Sequence, residues 1–231
     1  MIKVEFQGIK NVSDFLNGVQ KQARFAAAVA LTRTAGKVRA AMPAVMAREL
    51  DRPTQFTSGD KSMYVTGAKP DSLTAVVGFK DRQASYLRYQ IEGGTRTAGP
   101  RGIKLPGNIT LDTFGNIPKG VIAKLKASAQ DGTLGRGLAK RLGVGKRKRG
   151  SAPIQLMFGR PSGSRWKNAP IGLWRRVPGS PGKLVPVIVF PNTAAHYKPR
   201  FHFEEAAAAV VRSEWDSQFA KAFDEAMRSA R

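Results

Sequence analysis

Four cations in a row, Lys146, Arg147, Lys148 and Arg149, stand between glycines near the middle of a 231-residue chain. Residues of this type can cradle phosphates, and the segment LGVGKRKRG invites comparison with a nucleotide-binding loop. That loop needs a glycine five residues ahead of its Gly-Lys pair and a serine or threonine after it, so that backbone amides ring the phosphates and a hydroxyl reaches the metal. Lys140 and Arg147 occupy those two places here, and the match fails. No GxGxxG follows a strand and opens a helix, so the dinucleotide fingerprint fails as well. In Gly159-Arg-Pro-Ser162-Gly163 the serine comes one place too late for a nucleophile elbow. His196 and His202 are the only histidines, and with no carboxylate close to His196 in sequence they read as structural. A magnesium site would have to draw on Asp51, Asp60, Asp81, Glu92 and Asp112, whose spacing does nothing to bring them together. The expectation is a protein that is not an enzyme and holds neither cofactor nor metal.

Charge is more informative than any motif. The chain carries 39 Lys or Arg against 16 Asp or Glu, a net +23, and so large an imbalance repels itself unless a polyanion or counterions surround it. The excess is regional. Residues 1–131 hold 20 basic and 10 acidic side chains, residues 132–203 hold 15 basic and no acidic ones, and residues 204–231 hold 4 basic and 6 acidic. A stretch without one carboxylate reads as a surface facing phosphates rather than a device for solubility, which would mix both signs. Aromatics are interleaved in it. Phe158 and Trp174 fall in strand-like runs and are expected to pack inward, leaving Trp166, beside Arg165 and Lys167, as the candidate for stacking on bases. No helix-turn-helix or zinc pattern is present, so recognition independent of base sequence is expected. The chain has no cysteine, no apolar run of membrane-spanning length and no signal-like N-terminus, which points to synthesis in the cytosol.

The elements that must carry these residues can be read from periodicity. Residues 2–6 alternate as a short strand, and a helix follows, capped by Asn11 or Ser13 and running to about Leu50 with bends at Gly36 and Pro43. Its alanine-rich centre permits close approach of another helix or subunit, although simple core packing is the reading that carries more weight. Residues 61–67 and 73–79 suggest an antiparallel hairpin, residues 82–91 a short helix stopped by Gly93 and Gly94, and residues 119–129 a second one opened by Pro118. From 131 to 150 glycine and charge argue against order. Residues 154–158, 171–177 and 184–190 read as a three-stranded meander, and residues 203–227 as an amphipathic helix with Phe203, Ala207, Val210, Val211, Trp215, Phe219, Phe223 and Met227 at helical steps. The expected architecture is a single α+β domain over residues 1–231. In it, a long N-terminal helix and a C-terminal amphipathic helix pack on a small antiparallel sheet, with a flexible basic, glycine-rich insertion at about 131–150.

Within Tyr86-Leu-Arg-Tyr-Gln-Ile-Glu-Gly-Gly-Thr-Arg96, the part from Tyr89 to Thr95 resembles the Y-x-x-E-x-G-T element of tailed-bacteriophage tail-completion proteins, the lambda Z-like minor tail proteins and phage tail components. Ala30-Leu-Thr-Arg-Thr-Ala35 is similar to the A-x-N-R-x-A helix of the same group, with Thr32 where asparagine is usual. Pro199-Arg-Phe, ahead of the last helix, resembles its R-P-F turn with the first two residues exchanged. Residues 51–57 and 111–120 also resemble elements of prophage tail proteins of this kind. The resemblance implies a virion structural protein of the neck, joining head to tail as a homo-oligomeric ring around the DNA channel. It implies as partners neighbouring connector, portal-side or tail proteins and, without sequence preference, genomic DNA; no membrane is involved. The residues expected to face DNA or acidic neighbours are Arg136, Lys140, Arg141, Lys146, Arg147, Lys148, Arg149, Arg165 and Lys167, and those expected at the subunit interface are Tyr86, Tyr89, Gly93 and Gly94. The alternative is a nucleic-acid-binding protein, indifferent to sequence, that acts in genome packaging.

Overall fold

The computed structural model describes residues 8–99, 103–143, 154–177, 180 and 182–229, with side chains from residue 18 onward. The strand expected at 2–6 and the cations at 146–149 lie outside these residues. The architecture is α+β, with a long helix near each end of the sequence and small antiparallel sheets between them. The chain divides into two compact units, Met1–Gly93 with Lys198–Arg231, and Gly94–Tyr197.

In the first unit, helix α1 runs Gly8–Glu49, so it is already under way at the expected caps Asn11 and Ser13. It continues through Pro43, which has no amide to donate to the carbonyl one turn back. The end is set by Pro53, whose ring disfavours helical geometry in its predecessor; Leu50 makes the last helical bond, to the Met46 carbonyl, and Arg52 turns to φ 46°. The last helix, α6, spans Phe203–Ser229 and packs along α1. Ala26 and Ala30 on α1 meet Ala222 and Ala226 on α6 in a seam that excludes solvent, flanked by Val29, Trp215, Phe219 and Phe223. Of the apolar row expected on α6, Phe203, Ala207 and Val210 pack half-buried on the second core described below and Trp215, Phe219 and Phe223 on this seam, and the fully buried line runs beside them. Side chains the size of alanine let two helix backbones approach closely, so the buried line of α6 runs through Gln218, Ala222 and Ala226 while Val211 remains 42% exposed.

The other end of α1 supplies Val38, Met42 and Met46 to a second core with Met63, Leu87 and Phe201. The hairpin of strands β1 (Met63–Thr66) and β2 (Val76–Phe79) closes over it in the register Met63 opposite Phe79. Between α1 and β1 lies a single helical turn, α2 (Gln55–Ser58), whose Phe56 carbonyl accepts from the buried Gln83 amide at 2.9 Å. Gln83 belongs to α3 (Asp81–Ile91), which ends at Gly93 with φ 76°, a left-handed angle that glycine adopts without steric cost. The Gln90 carbonyl then accepts from the amides of Arg200 and Phe201, which fixes the segment leading into α6.

The second unit is closed at its base by β3 (Gly94–Arg96) and β8 (Ala195–Tyr197), antiparallel with Gly94 opposite Tyr197. The expected meander is present as β5 (Leu156–Gly159), β6 (Ile171–Arg176) and β7 (Leu184–Phe190), and a two-residue strand β4 (Leu105–Pro106) extends it to the order β4-β7-β6-β5. Helix α4 (Val121–Asp131) lies between Gly120 and Gly132, both left-handed, and buries Val121 and Leu125 against Leu173, Val187 and Ile188. Part of the stretch expected to lack order is helical. Leu134, Leu138 and Leu142 repeat every four residues, which brings α5 (Arg136–Arg141) onto that core despite its charge, and the Thr110 amide bonds the Arg141 carbonyl at 2.7 Å.

Candidate nucleic-acid interface

The unit boundary is also a charge boundary. Residues 94–197 contain 19 Lys or Arg and only Asp112 and Asp131 as acids, a net +17 of the chain's +23. The first unit is nearly balanced, with 20 basic and 14 acidic residues. Internal pairing follows the same division. Among the described residues the ion pairs are Arg33 with Glu225, Arg48 with Glu49, Arg52 with Asp51 and His202 with Glu49, all in the first unit. Contact with Arg33 holds Glu225 below the usual carboxylate range, and Arg52 does the same for Asp51. Glu49 is lowered first by the His202 amide and then by Arg48. In the second unit Asp112 is occupied by its own loop, its carboxylate accepting the amides of Phe114 and Asn116 at 2.9 and 2.8 Å. None of its described cations is in an ion pair with an acidic side chain, Asp131 included, so they keep their attraction for an external anion.

Of the expected DNA-facing residues, Arg136 and Lys140 lie one turn apart on α5, exposed, while Leu138 and Leu142 anchor the helix from below. Arg141 is half-buried and donates to the Thr110 carbonyl at 3.3 Å, so it serves the loop as well as the surface. Arg165 and Lys167 flank a short turn whose Trp166 packs edge-on against Trp174, ring centres 5.4 Å apart, with the Arg165 guanidinium 5.9 Å from the Trp166 ring. Among the described residues no hydrogen bond or ring contact links the α5 cations to this turn. Lys146, Arg147, Lys148 and Arg149 lie outside the described residues.

The aromatics divide differently from expectation. Trp174 is buried and its indole N–H donates to the Gly159 carbonyl at 3.1 Å, as an inward strand residue should. Phe158 is 45% exposed, a correction to its expected place in the core. It sits on β5, an edge strand of the sheet among the described residues, and the Lys126 ammonium lies 4.2 Å from its ring centre. That lysine is also 5.5 Å from the ring of Phe190, which meets Phe158 edge-on at 6.2 Å. Lys126 in turn borders a groove of ≈ 660 Å³ between β4, the turn at 115–120 and the first turns of α4, which Lys104 and Lys119 also line. Sequence reasoning passed over these three lysines, because they precede the carboxylate-free stretch and come from three separate elements.

The residues expected at a subunit interface belong to the first unit or its boundary. Tyr86 packs against the Met42 core, with its hydroxyl 3.0 Å from that of Thr57. The Tyr89 hydroxyl accepts from Arg88 at 2.8 Å, and Gly93 and Gly94 form the left-handed turn between the units. His196 bonds Thr95 across the β3–β8 ladder, its Nδ1 2.8 Å from the threonine hydroxyl, and His202 meets Glu49, a carboxylate 153 positions away in sequence. No group of three or more metal-ligating side chains occurs among the described residues, and no described helix is long and apolar enough to cross a membrane. In comparison with known proteins, the chain matches no family model, no curated protein and no solved structure.

Proposed function

We propose that the protein is a bacteriophage virion structural protein of the neck, active in tail completion or head–tail joining. On this reading it assembles as a ring around the DNA channel, with its cationic unit turned toward DNA or acidic neighbouring subunits. The observation that carries the reading is the segregation of charge, +17 within residues 94–197, none of it paired internally among the described residues. A polyanion with no fixed register, such as the phosphate backbone, suits cations spread over α4, α5, the Trp166 turn and the meander better than a small ligand does. The resemblance of the Tyr89–Thr95 region and of the early helix to tail-completion proteins supplies the assembly context.

Light scattering on the purified full chain, alone and with duplex DNA, tests this. A particle several times the 25.0 kDa chain, formed without DNA, is the expected result. A monomer that stays monomeric until DNA is added would instead favour a free packaging factor, which the same segregation of charge also suits. A monomer in both conditions with no DNA bound would overturn both.

A further inference from the structure

We propose that the groove between β4, the turn at 115–120 and α4 is a phosphodiester-binding track, in which Lys104, Lys119 and Lys126 hold the phosphates and Phe158 positions Lys126. The proposal rests on the DNA-facing reading above and names the atoms that would carry it.

Three features of the groove fit a nucleic-acid backbone. Three lysines and no carboxylate are among its lining residues, and the rest of the lining is uncharged. Lysines set among uncharged residues complement a polymer that alternates phosphate with sugar. The lysines come from different elements, one just before β4, one in the turn and one on α4, so three separate parts of the chain bring a cation to the same groove. Lys126 is held in place as well. A surface lysine ordinarily loses rotamer freedom when it binds, but the rings of Phe158 and Phe190 already restrain the ammonium of this groove-lining lysine, which lowers that cost. The same contact accounts for a large aromatic left exposed on an edge strand.

The test uses the full chain and fluorescence anisotropy with a labelled mixed-sequence duplex and a single strand of equal length, over a range of NaCl concentrations. Replacing each of Lys104, Lys119 and Lys126 by glutamine should lower the slope of log affinity against log salt by about 0.9 for the duplex and about 0.7 for the single strand, so the two arms tell which form the track holds. The triple variant should lose about three such steps. Phe158→Leu keeps the apolar bulk and every charge, and it should weaken binding about two- to five-fold with the slope unchanged, which a general loss of structure would not do. Lys183→Gln, outside the groove, should leave the groove's share of the slope intact. A folded triple variant that binds with the parent's affinity and slope would overturn the proposal, and if replacement of residues 146–149 then abolished binding, the DNA-facing reading would stand without it. A parent chain that binds polyglutamate as tightly as DNA would also overturn it, in favour of an acidic protein segment. Absence of any DNA binding at low salt would remove both readings.

Discussion

Single side chains in the first unit have definite jobs, and two of them can be checked directly. The ring of Tyr86 lies half-buried against the Met42 core and its hydroxyl meets that of Thr57 at 3.0 Å. Tyr86→Phe should therefore lower stability by about 0.5–1.5 kcal/mol in urea unfolding and leave particle size unchanged by light scattering. Glu49 accepts the His202 amide at 2.9 Å and faces Arg48 and the His202 ring, and its pKa falls below the ordinary 4.5. A carboxylate depressed in the folded state contributes stability above its unfolded pKa and loses it as pH falls through the folded value. Glu49→Gln should thus cost most at pH 7, and the gap between the two urea midpoints should close progressively below pH 4.5. Neither role was visible in sequence, because each partner is distant along the chain: Thr57 from Tyr86 by 29 positions and His202 from Glu49 by 153.

Elements were legible where glycine, proline and periodicity agreed. The β1–β2 hairpin, α3, α4 and the β5–β6–β7 meander stand where alternation and turn residues put them. Two kinds of element were missed for different physical reasons. Strands β3 and β8 have three residues each and pair across about a hundred intervening positions, so neither carries a local signal. Helix α5 was hidden by composition, since its glycines and cations argued for disorder while the spacing of three leucines decided the outcome. The candidate site divides the same way. The contiguous run at 146–149 was plain to see, and the lysine groove was not, because only tertiary structure assembles it. Within the meander, Gly172 is a point of close approach: a Cβ there would lie 2.7 Å from the Ile188 carbonyl oxygen and 3.0 Å from the Trp174 indole nitrogen. The first neighbour is backbone of the paired strand and cannot swing aside. Gly172→Ala should cost about 1–3 kcal/mol in urea unfolding and shift the tryptophan emission, because it displaces the indole that bonds Gly159.

At the scale of the whole molecule, the two units differ in what holds them together as much as in charge. The first is built on α1 and α6, with its alanine seam and its methionine-lined core, and every residue of both cores lies outside 94–197. Joining Gly93 to Lys198 through a two-residue Asn-Gly link should therefore leave a chain that retains strong helical circular dichroism and unfolds cooperatively in urea. A broad, gradual transition would show that the two units depend on each other for folding. The reason such a cut is feasible lies in β3 and β8. Where they pair, Gly94 sits opposite Tyr197, so the cationic segment leaves and re-enters its host through adjacent doorways about 5 Å apart. A segment with neighbouring ends is a cassette. Heredity can lengthen it, recharge it or exchange it in one in-frame event while the helical host is spared, so the host and its passenger are free to diverge at separate rates.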